Sequence, residues 1–190
     1  MKILFVCGSR NTQGQTARAV NAIIEGVTGA EAETELIFLP TMELERCRQC
    51  EESGWGICRQ EGACIIEDEF AGLVQKIRLA NAVVFATPVY YGDLCESMRA
   101  MTDRLRRICT HSDGRNGIQD KPAIGLCVAG GGGGGSLTAC ISLERVLNGC
   151  GFEVLDMVPA RRQNLKAKLN ILRLTGAWLV TATKLKLAAQ

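Results

Sequence analysis

The sequence predicts an α/β protein: a doubly wound, five-stranded parallel sheet with helices on both faces. Three observations support this. Apolar runs recur at regular intervals, each is followed by a stretch with helical spacing, and several runs are apolar on both faces, as strands buried between two helical layers must be. The 190 residues are enough for a single domain with a full core, and no repeat or linker divides residues 1–190.

The first strand is expected at Lys2 to Cys7, where one lysine precedes five apolar residues. With no small-residue cleavage site after it, this run is a strand rather than a signal peptide. The other strands fall at Glu35 to Leu39, Ala82 to Ala86, Ala123 to Ala129 and Glu153 to Val158. Helical patterns follow them in turn, from Gly14 to Val27, Asp68 to Leu79, Asp93 to Cys109, Ser136 to Asn148, and from Arg161 onward with Gly176 as a break. Five strand-helix alternations require right-handed crossovers. In the last segment, 161–190, seven Lys or Arg stand with no acid, and Leu165, Leu169 and Leu172 share one face, as in a final helix that covers the sheet and keeps its basic side in water.

Composition excludes several function classes. With 22 Lys and Arg against 20 Asp and Glu, the formal charge of +2 gives no argument for a nucleic-acid partner. No run of 18 apolar residues suggests a membrane span, so a cytoplasmic protein is expected, whose ten cysteines stay mostly reduced. The single histidine, His111, lies in a polar loop and cannot complete a hydrolytic triad.

In a doubly wound sheet the ligand sits beyond the carboxyl ends of the strands, where strand order reverses, so the loops leaving strands one, three and four carry the chemistry. The first loop, GSRNTQGQT from Gly8 to Thr16, has neither the lysine of a triphosphate loop nor a GxGxxG pattern. It offers hydroxyls and amides at a helix N-terminus, which suits one dianionic phosphate, although Ser9, Asn11 and Thr12 could equally serve as caps. The second loop, TPVYYGD from Thr87, sets Pro88, Tyr90, Tyr91 and Gly92 at the sheet edge, where aromatic and backbone groups can hold a flat ring. The third has six consecutive glycines, Gly130 to Gly135, so its backbone can lie against a planar ligand with no side chain between them.

These three loops in this order, with ATPVYYGDLCESMRAMTDRL in the middle, resemble the NADPH-dependent FMN reductase family of flavodoxin-like proteins, from Met1 to about Phe152. The resemblance implies strand order 2-1-3-4-5 and bound FMN. Its phosphate would lie against Ser9, Asn11, Gln13, Gln15 and Thr16. Family members carry a proline in this loop and an arginine where this chain has Asn11; here Arg10 stands one position earlier and is the candidate guanidinium. The ring would meet Pro88, Val89, Tyr90, Tyr91 and Gly92 on one side and Gly131, Gly132 and Gly133 on the other. Family members often complete the pocket with a neighbouring subunit, which implies a homodimer or homotetramer.

Four of the ten cysteines, Cys47, Cys50, Cys58 and Cys64, fall in the loop after strand two, within residues 44–66. The position, and the acidic run IIEDEF after Cys64, are similar to the iron-sulfur flavoprotein branch of the family, whereas the spacing C-x2-C-x7-C-x5-C is longer. A [4Fe-4S] cluster, a zinc ion and unmetallated thiols all remain open. Two functional readings follow. In one, an FMN enzyme takes hydride from NAD(P)H, or electrons from ferredoxin, and reduces a quinone, flavin or other small acceptor, with no side chain acting as a catalytic acid or base. In the other, a flavodoxin-like carrier is fed by ferredoxin; near-neutral charge favours the enzyme.

Overall fold

The computed structural model of the chain describes residues 1–189. Strands β1 (Lys2–Cys7), β2 (Glu33–Phe38), β3 (Ala82–Tyr90), β4 (Asp93–Leu94), β5 (Pro122–Ala129) and β6 (Glu153–Arg161) form one sheet. Five of them are parallel in the order β2-β1-β3-β5-β6, and the two-residue β4 pairs antiparallel with the end of β3. With β4 left aside, this is the expected order 2-1-3-4-5. The sequence pattern places 93–94 at the start of a helix, but those two residues instead fold back on Val89 and Tyr90, and helix α4 begins at Glu96.

Helices α1 (Gln15–Gly29) and α7 (Leu165–Ala188) cover one face, and α3 (Phe70–Leu79), α4 (Glu96–Ile108) and α6 (Ser136–Cys150) the other. Single turns α2 (Ile57–Gln60) and α5 (Ser112–Arg115) lie in loops. The strands divide their side chains with period two. Leu4, Val6, Val83 and Phe85 enter the core with Leu73, Met98, Met101 and Leu143, whereas Ile3, Phe5, Val84 and Leu126 enter the core with Val20, Ile23, Leu172 and Leu179. All eight residues of β5 are buried, which accounts for its uninterrupted apolar sequence. The six cysteines outside the 47–64 loop are buried as well and behave as small apolar residues. His111 caps α5, its Nδ1 accepting from the Asp113 N–H at 3.2 Å.

Gly176 does not break the last helix. α7 runs through it because this is where α7 crosses α1: a Cβ at Gly176 would stand 2.2 Å from the Ile23 carbonyl oxygen, and one at Gly26 would stand 1.9 Å from the Arg173 carbonyl oxygen. Close backbone approach outweighs the helix cost of glycine, about 0.5–1 kcal/mol. No described helix is long and apolar enough to cross a membrane.

Candidate functional site

The registers bring the three loops to one edge. Cys7 ends β1 beside Ala86, and β5 ends at Ala129 opposite Val89, so the loops leave adjacent central strands. Between them lies a cleft of about 450 Å³, lined by Ser9, Asn11 and Gly14 from the first loop and Gln15 and Thr16 from the start of α1, by Pro88, Val89 and Tyr90 from the end of β3, which runs past the expected Ala86, and by Val128 and Ala129 from the end of β5 with Gly130 to Gly134 from the third loop. This is the size of a small-molecule site.

The first loop turns on its own backbone. Ser9 Oγ donates to the Asn11 carbonyl at 3.0 Å, and the Gln13 N–H donates to Asn11 Oδ1 at 2.9 Å. Neither side chain caps α1, whose N-cap is Gly14 with no side-chain hydrogen bond. The N–H groups of the first helical turn are therefore free for an anion, supported by the helix dipole. Gln15 Oε1 is buried without a partner among the described residues; as an acceptor it suits a hydroxyl or ring N–H of a ligand rather than its phosphate. Cys95, at the N-cap of α4, ties this loop to β3: its Sγ lies 3.2 Å from the Gly8 carbonyl, and its N–H donates to Thr87 Oγ1 at 3.2 Å. Burial pushes the neighbouring Cys7 thiol up to about 11, so it stays protonated and unreactive at neutral pH.

The glycine loop is ordered by contacts from three sides. The Gly133 N–H donates to the Gly130 carbonyl at 2.7 Å, Gln163 Nε2 donates to the Gly131 carbonyl at 3.0 Å, and Thr138 Oγ1 lies 2.9 Å from the Gly135 carbonyl and 2.6 Å from that of Gly92, bridging the two loops. Gly135, at φ +78, lies so close to Gly92 that a Cβ there would be 2.4 Å from its Cα. A Cβ at Gly130, Gly131, Gly132 or Gly134 would meet nothing within 4 Å, so these residues form a bare wall. A planar ring between this wall and Pro88 to Tyr90, with an anionic end at the uncapped helix, fits the site.

Of the residues singled out from the sequence, Ser9, Asn11, Gln15, Thr16, Pro88, Val89, Tyr90 and Gly131 to Gly133 line the cleft. Arg10 and Gln13 are exposed on the same loop without lining it. Tyr91 is fully exposed in a left-handed conformation at φ 50, and Gly92 packs beneath Gly135. Gly14, Val128, Ala129, Gly130 and Gly134 complete the lining.

The second cluster lies under the opposite half of α4. Cys47, Cys50, Cys58 and Cys64 line one small cavity of about 20 Å³ together with Arg104 and Arg107. That is room for about one water, and among the described residues no three His, Cys, Asp or Glu side chains stand close enough to hold a metal ion. From α4, Arg104, 1% exposed, donates to both carboxylate oxygens of Asp68 at 2.5 and 2.9 Å and to the Glu45 and Ile66 carbonyls, while stacking 4.1 Å from the Phe70 ring. Burial alone would raise the Asp68 carboxyl, but the Arg104 guanidinium and the Glu45 and Phe70 N–H groups hold it below the usual carboxylate range. Arg107 donates to the Gly54 carbonyl at 2.6 Å and lies 4.7 Å from the Trp55 ring. Sequence reasoning missed both arginines. In TDRLRRIC they look like ordinary helix cations, and only helical spacing, which puts 104 on the face of Met101, Leu105 and Ile108, gives a sign of burial.

A family model described as NADPH-dependent FMN reductase matches residues 1–165. The chain belongs to this family. Among curated relatives, an iron-sulfur flavoprotein of Methanocaldococcus jannaschii is 28% identical over 131 residues, 69% of this chain and 65% of its own length. One from Methanosarcina thermophila is 29% identical over 139 residues, 71% of this chain and 66% of its own. The chain thus matches just under two thirds of each. A solved flavodoxin, WrbA-like protein from Agrobacterium tumefaciens shares the fold at a TM-score of 0.63 and 19% identity, covering 96% of this chain and 97% of that one.

Proposed function

We propose that the protein is an FMN-dependent oxidoreductase that takes hydride from NADPH or NADH and delivers electrons to a small acceptor such as a quinone or a flavin. The observation that carries this is the convergence of three loops on one cleft with an uncapped helix at one end and a bare glycine wall along one side. When bound, FMN supplies the redox chemistry, as a two-electron acceptor that can also release electrons singly. The chain's own residues bind and orient it. The first-turn N–H groups of α1, with Ser9, Asn11 and Thr16, hold the phosphate; Gln15 accepts from a hydroxyl or ring N–H; Pro88 to Tyr90 and Gly131 to Gly133 flank the ring. Among the described residues the cleft lining holds no histidine or carboxylate, so no side chain is assigned as an acid or base.

The test is anaerobic titration of the flavin-reconstituted protein with NADPH and NADH, followed by absorbance. Bleaching of bound flavin is expected. Failure to bind FMN overturns the reading, and binding without reduction by either nucleotide removes the NAD(P)H part of it and favours a ferredoxin-fed carrier.

A second reading, a [4Fe-4S] cluster on Cys47, Cys50, Cys58 and Cys64, is favoured by the four thiols around one cavity and by the relatives named iron-sulfur flavoproteins. The donor set fits a cluster in number and type. Two buried atoms of residues that line the cavity, Nε of Arg104 and Nε of Arg107, have no partner among the described residues. The thiols would have to draw together on binding, as ligands of structural metals commonly do. Iron and acid-labile sulfide near four per chain after anaerobic reconstitution support it; their absence excludes it. Self-association into a homodimer or homotetramer, in the cytoplasm, belongs to the same reading, with exposed Ile171, Leu174 and Trp178 on α7 as the apolar seam; sedimentation of the purified protein tests it.

A further inference from the structure

Four buried side-chain polar atoms lack a hydrogen-bond partner among the described residues, and two of them, the Nε atoms of Arg104 and Arg107, belong to residues lining the cysteine cavity. A buried N–H donor is seldom left unpaired in a folded protein unless something unseen completes it. Arg104 has one carboxylate partner, Asp68, and is almost fully buried. Arg107, half-buried, makes no ion pair among the described residues; its contacts are a carbonyl and an aromatic ring. Arg48, the third cation on the lining, pairs with Glu45, so the cavity region holds one more positive charge than negative. A site of that kind favours an anion, and the groups facing it are thiols that become anionic when they bind metal.

We propose that Arg104 and Arg107 are the charge partners of the cluster held by Cys47, Cys50, Cys58 and Cys64, fixing the loop in place and raising the cluster's reduction potential. This rests on the cluster reading above. A [4Fe-4S] centre on four thiolates carries a net charge of about −2, which becomes about −3 on one-electron reduction, so a nearby cation stabilises the reduced form more. Guanidinium N–H groups also donate to sulfur, the second lever by which a protein tunes such a centre. Arg104 ties down both stems of the loop, at Glu45 and at Ile66 and Asp68, and Arg107 holds its tip at Gly54, so both cations stay beside the cavity as the thiols close on the metal.

The test compares wild type, Arg107→Gln, Arg104→Lys and Arg106→Gln after anaerobic reconstitution with iron and sulfide, reading iron content and the cluster midpoint potential by spectroscopic titration. Arg106 lies on the same helix, is exposed and pairs with Asp103, so its variant removes one charge away from the cavity. The expected result is a lowered potential in Arg107→Gln, by a tenfold change in the one-electron equilibrium or about 59 mV, a smaller lowering in Arg104→Lys, which keeps the charge and loses the fork, and no change in Arg106→Gln. If wild type takes up no iron, the cluster reading falls and this inference falls with it. If wild type loads a cluster and Arg107→Gln has the wild-type potential, or shifts no more than Arg106→Gln, the arginine assignment falls while the cluster reading stands.

Discussion

The cleft at the strand ends and the cysteine loop are both served by α4, yet they are held together in opposite ways. The cleft is made of backbone at the ends of buried strands, and its shape follows from the registers of β1, β3 and β5. The cysteine loop pairs with no strand among the described residues, and two arginine side chains, together with Leu44, Cys58 and Cys64 packed against the core, give it its position. A site made by strand ends tolerates most side-chain changes and fails when backbone space is filled. A site hung from two guanidiniums fails when either loses its partners. Cys95, at the cleft end of α4, and Arg104, at the loop end, are nine residues apart, roughly 14 Å of helix rise.

The largest expected effect lies on the cysteine side. Arg104→Ala leaves Asp68 buried without its cation, a change that costs about 3–5 kcal/mol; denaturant unfolding should record that loss, with proteolysis concentrated in residues 44–66. If stability is unchanged, the loop is not held as described. The same pair makes the loop sensitive to acid. Because Asp68 is held below its usual value in the folded state, its contribution is complete above the unfolded-state value, near 4, and is lost as pH falls through the lower folded value. Tryptophan fluorescence should therefore report release of Trp55 at acid pH while the sheet's circular dichroism persists, and Asp68→Asn should abolish that step.

The cleft should respond differently. Gly132→Val places a side chain where nothing stands within 4 Å, so melting temperature should hold within a degree or two while FMN affinity falls at least about tenfold, or about 1.4 kcal/mol; unchanged flavin binding would remove the glycine wall from the site. The smallest effect is expected at Tyr91. Tyr91→Gly relieves a left-handed residue and should stabilise the protein by about 1 kcal/mol, with FMN affinity within twofold of wild type because the side chain lies outside the cleft.

Much of the frame was legible because it rests on local pattern. The continuous apolar runs at 3–7 and 123–129 locate central strands, since a strand covered on both faces has no polar side to show. The turn at 93–94 was not legible: two residues pairing with Val89 and Tyr90 leave no periodicity. Nor was the role of Gly176, because a helix crossing is set by a partner about 150 residues away rather than by neighbours in sequence. In the cleft, the sequence points to the three loops, whereas the outward turn of Tyr91 depends on one backbone angle that tyrosine does not favour. The arginine clamp was hidden for the same reason as the helix crossing.

The glycine crossing of α1 and α7 also bears on how the chain is made. Helix α1 carries the free N–H groups of the cleft, and its apolar side, Val20, Ile23 and Val27, is covered partly by Leu172, Leu179 and Val180. Glu25 reaches Arg173 across the same contact. During synthesis α1 emerges first and waits for a partner made some 150 residues later, so the nascent chain must keep a sticky helix shielded for most of its elongation. Folding should consequently be slow and late, and ribosome-bound chains stopped before residue 172 should bind chaperones where chains long enough to release α7 do not.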